Sequence, residues 1–111
     1  MQSTTPKVEL GQTVMTRGIS NLLSLHPSLN SFIQKSIYRH SIGEWGDLCD
    51  EDKQANDDAI KYGSRIVSSY TIPFVNRNKL SVGLIPERDT KIWVITEADR
   101  SVTTVLFPSE Y

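Results

Sequence analysis

The stretch Lys91–Tyr111, KIWVITEADRSVTTVLFPSEY, decides the fold. Two runs rich in β-branched and aromatic residues, KIWVIT and SVTTVLF, flank a short charged segment, and that pattern predicts a β-hairpin. In the first run Ile92 and Val94 point one way and Trp93 and Ile95 the other. A strand with two apolar faces belongs inside a sheet rather than at its edge. Pro108, which cannot donate to a ladder, ends the second run. Thr96, Glu97, Asp99 and Arg100 mark the fold-back, which is either a solvated turn or a polar site carried on the sheet.

Upstream, SRIVSSYTI keeps the two-residue period. Ile66, Ser68, Tyr70 and Ile72 share one face, and Arg65, Val67, Ser69 and Thr71 the other. Between it and the hairpin, residues 73–90 form a long connection with two prolines and room for one edge strand at Lys79–Leu84. Before Arg65 the period is helical. Leu29, Phe32, Ile33, Ile37 and His40 make one stripe, with Ser28 as cap and Gly43 as stop, which predicts a helix over Leu29–His40. DEDKQANDDAIKY predicts a second helix. Asp50 caps it, Glu51 and Asp52 sit in its first turn where the helix dipole favours negative charge, and Gly63 closes it. RGISNLLSLH predicts a shorter helix stopped by Pro27, and Gln12–Met15 a short strand. Two to three helices followed by an antiparallel sheet of three to four strands is the α+β pattern.

The length of 111 residues suits one domain, with residues 1–6 loose because they are polar and terminal. There is no apolar run long enough to span a bilayer and no basic head leading into an apolar stretch, so a cytoplasmic protein without a membrane partner is expected. One cysteine, Cys49, makes neither a disulfide nor a zinc cluster. Zinc spacings, a calcium loop, a glycine-rich phosphate loop and a nucleophile elbow are all missing, so neither metal nor cofactor is expected. The formal net charge of −1 argues against a dedicated DNA-binding domain. Charge is uneven, however: Glu44–Asp58 holds seven acids and one base.

His40, at the end of the apolar stripe, is either a general base or a helix-end histidine hydrogen-bonded to a carbonyl. Arg65, Ser69 and Thr71 share a strand face that could hold a phosphate, or they are the water-facing side of a one-sided sheet. The acidic helix start, Asp50, Glu51 and Asp52, and the tip residues Glu97, Asp99 and Arg100 are either ordinary solvated surface or a surface that meets a basic protein groove.

Through GEWGDL (Gly43–Leu48), RIVSSY (Arg65–Tyr70) and KIWVITEADRSVTTVLFPSEY, the chain resembles a family of small, mostly uncharacterised proteins of bacterial plasmids and integrative elements, some labelled as a type I restriction-modification subunit. The resemblance covers the last two-thirds of the chain. It departs between Tyr70 and Lys91, where the family has a shorter turn. The restriction label conflicts with length, because a methyltransferase needs a cofactor-binding α/β domain. The resemblance implies a cytoplasmic accessory protein of mobile DNA.

Two functional expectations follow. The first is a non-enzymatic accessory protein that binds a host or element protein, a counter-defence role among the options, through Asp50, Glu51, Asp52, Glu97, Asp99 and Arg100. The second rests on similarity of arrangement to small ribonuclease toxins of the barnase–colicin–RelE type: a metal-independent ribonuclease acting on RNA. There His40 would be the base, Arg65 and Arg100 the phosphate holders, and Thr96 or Ser69 the orienting group. A homodimer is compatible with either.

Overall fold

A computed structural model describes residues 6–73 and 90–111. The elements are β1 (Gln12–Met15), α1 (Arg17–Leu25), α2 (Asn30–Ser41), α3 (Asp50–Tyr62), β2 (Ile66–Thr71), β3 (Lys91–Thr96) and β4 (Val102–Leu106), with single 3₁₀ turns at Pro27–Leu29 and Pro108–Glu110. The class is α+β, as the change of period predicts. The edge strand expected at Lys79–Leu84 lies outside the described residues.

The sheet runs β1-β4-β3-β2. β3 is interior, as its two apolar faces require, with β2 and β4 antiparallel to it. One feature departs from the expected all-antiparallel sheet. β1 pairs parallel to β4, Gln12 opposite Val102 through Met15 opposite Val105. The chain enters the sheet at its far edge, and the three helices bridge from there to β2.

Helices α1 and α2 cover one face. Ile19 and Leu22 of α1 and Ile33 and Ile37 of α2 pack against Tyr70, Ile72, Ile92, Val94 and Val105. The α2 stripe read from spacing is the buried stripe, and it carries His40 inward with it. Two caps differ from expectation. The Pro27–Leu29 turn runs directly into α2, so Ser28 caps nothing, and Cys49 rather than Asp50 occupies the N-cap of α3. Asp50 joins Glu51 and Asp52 in the first turn, where their charge still favours the helix dipole.

α3 lies along the open side of β2 rather than over a sheet face. Asn56 of α3 donates from Nδ2 to the Val67 carbonyl at 2.7 Å and accepts the Val67 amide at 3.2 Å. The Ser69 amide donates to the Trp45 carbonyl at 3.2 Å, and the Ser69 carbonyl accepts from Asp47 at 2.7 Å. The Thr71 amide donates to the Asp47 carboxylate at 2.9 Å. The outward polar groups of Val67 and Ser69 and the amide of Thr71 are therefore satisfied by a helix side chain and a loop, which prevents strand addition at this edge. Asn56→Ala leaves the Val67 amide and carbonyl without partners beneath α3. A loss of about 2–4 kcal/mol is expected in urea unfolding, together with concentration-dependent aggregation from the uncovered edge.

Candidate functional site

The helix face of the sheet is apolar except at one end, where Ser68, Thr96 and Thr103 stand next to one another on β2, β3 and β4. α2 lowers His40 onto them. Nδ1 of His40 lies 2.6 Å from Ser68 Oγ and Nε2 lies 2.8 Å from Thr96 Oγ1. Thr96 Oγ1 is 2.7 Å from Thr103 Oγ1, and Thr103 donates to the Leu10 carbonyl at 2.7 Å.

That last bond orders the protons along the whole chain. Leu10 can only accept, so Thr103 gives it its proton and accepts from Thr96. Thr96 in turn accepts from Nε2–H, which leaves Nδ1 of His40 to accept from Ser68. The imidazole is the neutral Nε2–H tautomer with both nitrogens occupied. Burial, followed by the charge of Arg100, lowers its pKa from 6.5 to about 4. His40, Ser68, Thr96 and Thr103 are each 0% exposed. Trp45 closes the site with its ring edge-on to the imidazole at 5.8 Å. Ser68 and Leu10 complete the network beyond what spacing points to, whereas Thr103, like Thr96, reads in the sequence as a polar position inside an otherwise apolar strand. The one sequence signal for Ser68 is that its hydroxyl interrupts an apolar strand face.

Of the four residues assigned to a ribonuclease, His40 and Thr96 meet, and the two arginines are used elsewhere. Arg65 is at the surface, 3.1 Å from Glu97 and hydrogen-bonded to the Tyr111 hydroxyl. The hydrogen bond and charge of Glu97 raise its pKa. Arg100 donates to backbone carbonyls, Ser64 at 2.7 Å, Ala59 at 3.0 Å, Glu97 at 3.1 Å and Ala98 at 3.3 Å. Ser69 is buried with its hydroxyl unpartnered, and Thr71 is exposed and donates to Asp47. Arg65, Ser69 and Thr71 form no common phosphate-holding face.

Arg100 instead performs a structural task. It adopts a left-handed backbone (φ 61°) at the end of the hairpin turn. Its guanidinium reaches the carbonyls at the C-terminal end of α3, where the helix dipole favours a cation. The hairpin tip and α3 are thereby tied into one surface.

The acids of the 44–58 stretch divide by use. Glu44 pairs with Arg39 at 3.2 Å, Asp47 holds Thr71, and Asp57 accepts from Trp45 Nε1 at 2.9 Å. Asp50, Glu51 and Asp52 are exposed and face outward without such partners among the described residues. Glu51, Gln54, Ala55, Asp58 and Tyr62 form one exposed stripe of α3. Tyr62, 73% exposed, ends that stripe. Asp99 accepts from the Ser101 amide and hydroxyl, which holds the tip in one shape.

Among the described residues no cluster of three or more His, Cys, Asp or Glu could hold a metal, and no helix is long and apolar enough to cross a membrane. No family model, curated protein or solved structure matches the chain.

Proposed function

We propose that this protein is a non-enzymatic accessory factor that acts by binding a host or element protein with a basic surface. The contact surface is the first turn of α3, with Asp50, Glu51 and Asp52, together with the outward stripe that runs from Glu51 to Tyr62, continued by Glu97 and Asp99 of the hairpin tip. The observation that carries this reading is the Arg100 staple, which ties the hairpin tip to the C-terminal end of the helix that opens on these acids. α3 alone gives the surface a length of about 18 Å. Carboxylates along it attract a basic groove, and an exposed tyrosine is the kind of side chain that anchors an interface. The resemblance to proteins of plasmids and integrative elements supports a partner that handles or defends against mobile DNA, and counter-defence is the corresponding role.

The ribonuclease reading needs a base that a substrate can reach. His40 has no exposed surface and no free nitrogen, which favours the binding reading.

The test is affinity capture of the tagged protein from its natural host after nuclease treatment, in parallel with the D50K/E51K/D52K triple variant. One stoichiometric protein partner is expected, lost from the triple variant while circular dichroism stays unchanged. A partner retained by the triple variant with the same salt dependence rules out this surface. RNA cleavage by the purified chain, abolished by a folded His40→Gln variant, would replace the proposal with the enzyme.

A further inference from the structure

The two edges of the sheet are treated differently. At β2 the outward polar groups are covered by Asn56, Trp45 and Asp47, as described above. At β1 the corresponding groups are open among the described residues. The Gln12 amide donates to the Ser101 carbonyl and the Thr16 amide to the Val105 carbonyl, each at 3.0 Å. In this parallel ladder Gln12, Val14 and Thr16 face β4, so the amides and carbonyls of Thr13 and Met15 face away from the sheet. Among the described residues neither has a hydrogen bond outside that ladder. Gln12 and Thr13 are exposed, and Val14 and Met15 are half-buried.

We propose that β1 is a self-association edge, and that its occupant is β1 of a second copy of this chain, running antiparallel about a two-fold axis at Val14. Thr13 faces Met15 of the partner copy in this register, and Met15 faces Thr13. Both pairs are hydrogen-bonded pairs, so all four open groups of each strand are used. Val14 meets its own symmetry mate at the closely spaced site between them. A β-branched pair there is favourable and covers apolar surface that is otherwise half exposed. The segment Gln12–Thr16 carries no charge, so self-pairing sets no like charges opposite each other. An extended peptide from an unrelated protein would satisfy the same amides but has no reason to match Val14 at the axis. The two sheets, each of four strands among the described residues, become one. Growth stops there, because a two-fold contact is closed and the remaining edges are the covered β2 strands. So short a contact gives a weak dimer that depends on concentration.

The proposal is tested by sedimentation equilibrium of the full chain over a concentration series reaching the millimolar range. A monomer–dimer equilibrium is expected, abolished by Thr13→Pro. Proline at 13 removes an outward amide and leaves the ladder to β4 intact, which edge strands tolerate. If that variant misfolds, amide exchange in the unmodified chain decides: Thr13 and Met15 should exchange at least tenfold more slowly at the highest concentration than at the lowest. A monomer throughout, a dimer indifferent to Thr13→Pro, an open polymer, or exchange at Thr13 and Met15 that does not vary with concentration overturns it.

Discussion

His40→Ala is expected to lower the unfolding free energy by about 3–5 kcal/mol, a large part of the stability of a domain this size. The substitution removes a buried ring and leaves Ser68 and Thr96 with hydroxyls that have lost their partner. Urea unfolding monitored by Trp45 and Trp93 fluorescence measures it. The same residue sets a pH dependence. In the unfolded chain His40 takes a proton below about 6.5, whereas the folded chain resists until about 4. Between those values the unfolded state binds more protons, so stability is full above pH 6.5, falls as pH drops toward 4, and levels off for this residue below that. The fall amounts to about 3 kcal/mol. His40→Gln should start less stable and lose much less over the same window. The Thr71 hydroxyl holds the Asp47 carboxyl below its ordinary range, and the Ser101 hydroxyl does the same for Asp99, so their losses come at lower pH. An unmodified chain with flat stability from pH 7 to 4.5 would contradict the buried neutral imidazole.

Gly46→Ala is expected to cost more than about 3 kcal/mol or to prevent folding. Gly46 has φ +74°, and a Cβ there would sit 1.9 Å from the Ser69 carbonyl oxygen and 2.7 Å from the Tyr70 ring. That carbonyl is the one Asp47 holds at the edge of β2, so it cannot retreat without uncovering the edge. Gly63 provides the comparison. Its φ is +77°, yet a Cβ there meets nothing within 4 Å, so Gly63→Ala should cost only about 1 kcal/mol of backbone strain. Thermal unfolding of the two variants side by side separates collision from strain. Equal losses would mean that the 45–47 segment does not press on β2.

Much of the fold can be read along the chain because local period reports which face is buried. The α2 stripe, the interior position of β3 and the β3–β4 hairpin each follow from a spacing of 3.6 or 2. Exposure of Asp50, Glu51 and Asp52 follows as well, since charge in the first turn of a helix is stabilised in place. The network around His40 was half legible. Its place on an apolar stripe implied burial, but its partners Ser68, Thr96 and Thr103 lie on three strands whose alignment is a matter of register. A shift of one residue would turn all three to the opposite face.

Arg100 shows the same limit from another side. In sequence it is a charged residue in a turn, free to hold a phosphate or point into water. Only the closure of β3 onto β2, with α3 along the outer side of β2, brings the Ala59 and Ser64 carbonyls within reach of its guanidinium and makes it a staple. The parallel pairing of β1, and the contrast between a covered edge at β2 and an open one at β1, likewise depend on contacts between residues far apart in the chain. Sequence by itself determined which segments are helix or strand and which faces turn inward, because those depend on neighbours a few residues away. Tertiary structure alone decided which polar groups satisfy one another and which stay open to a partner, because hydrogen bonds are short and directional and exist only once register is set.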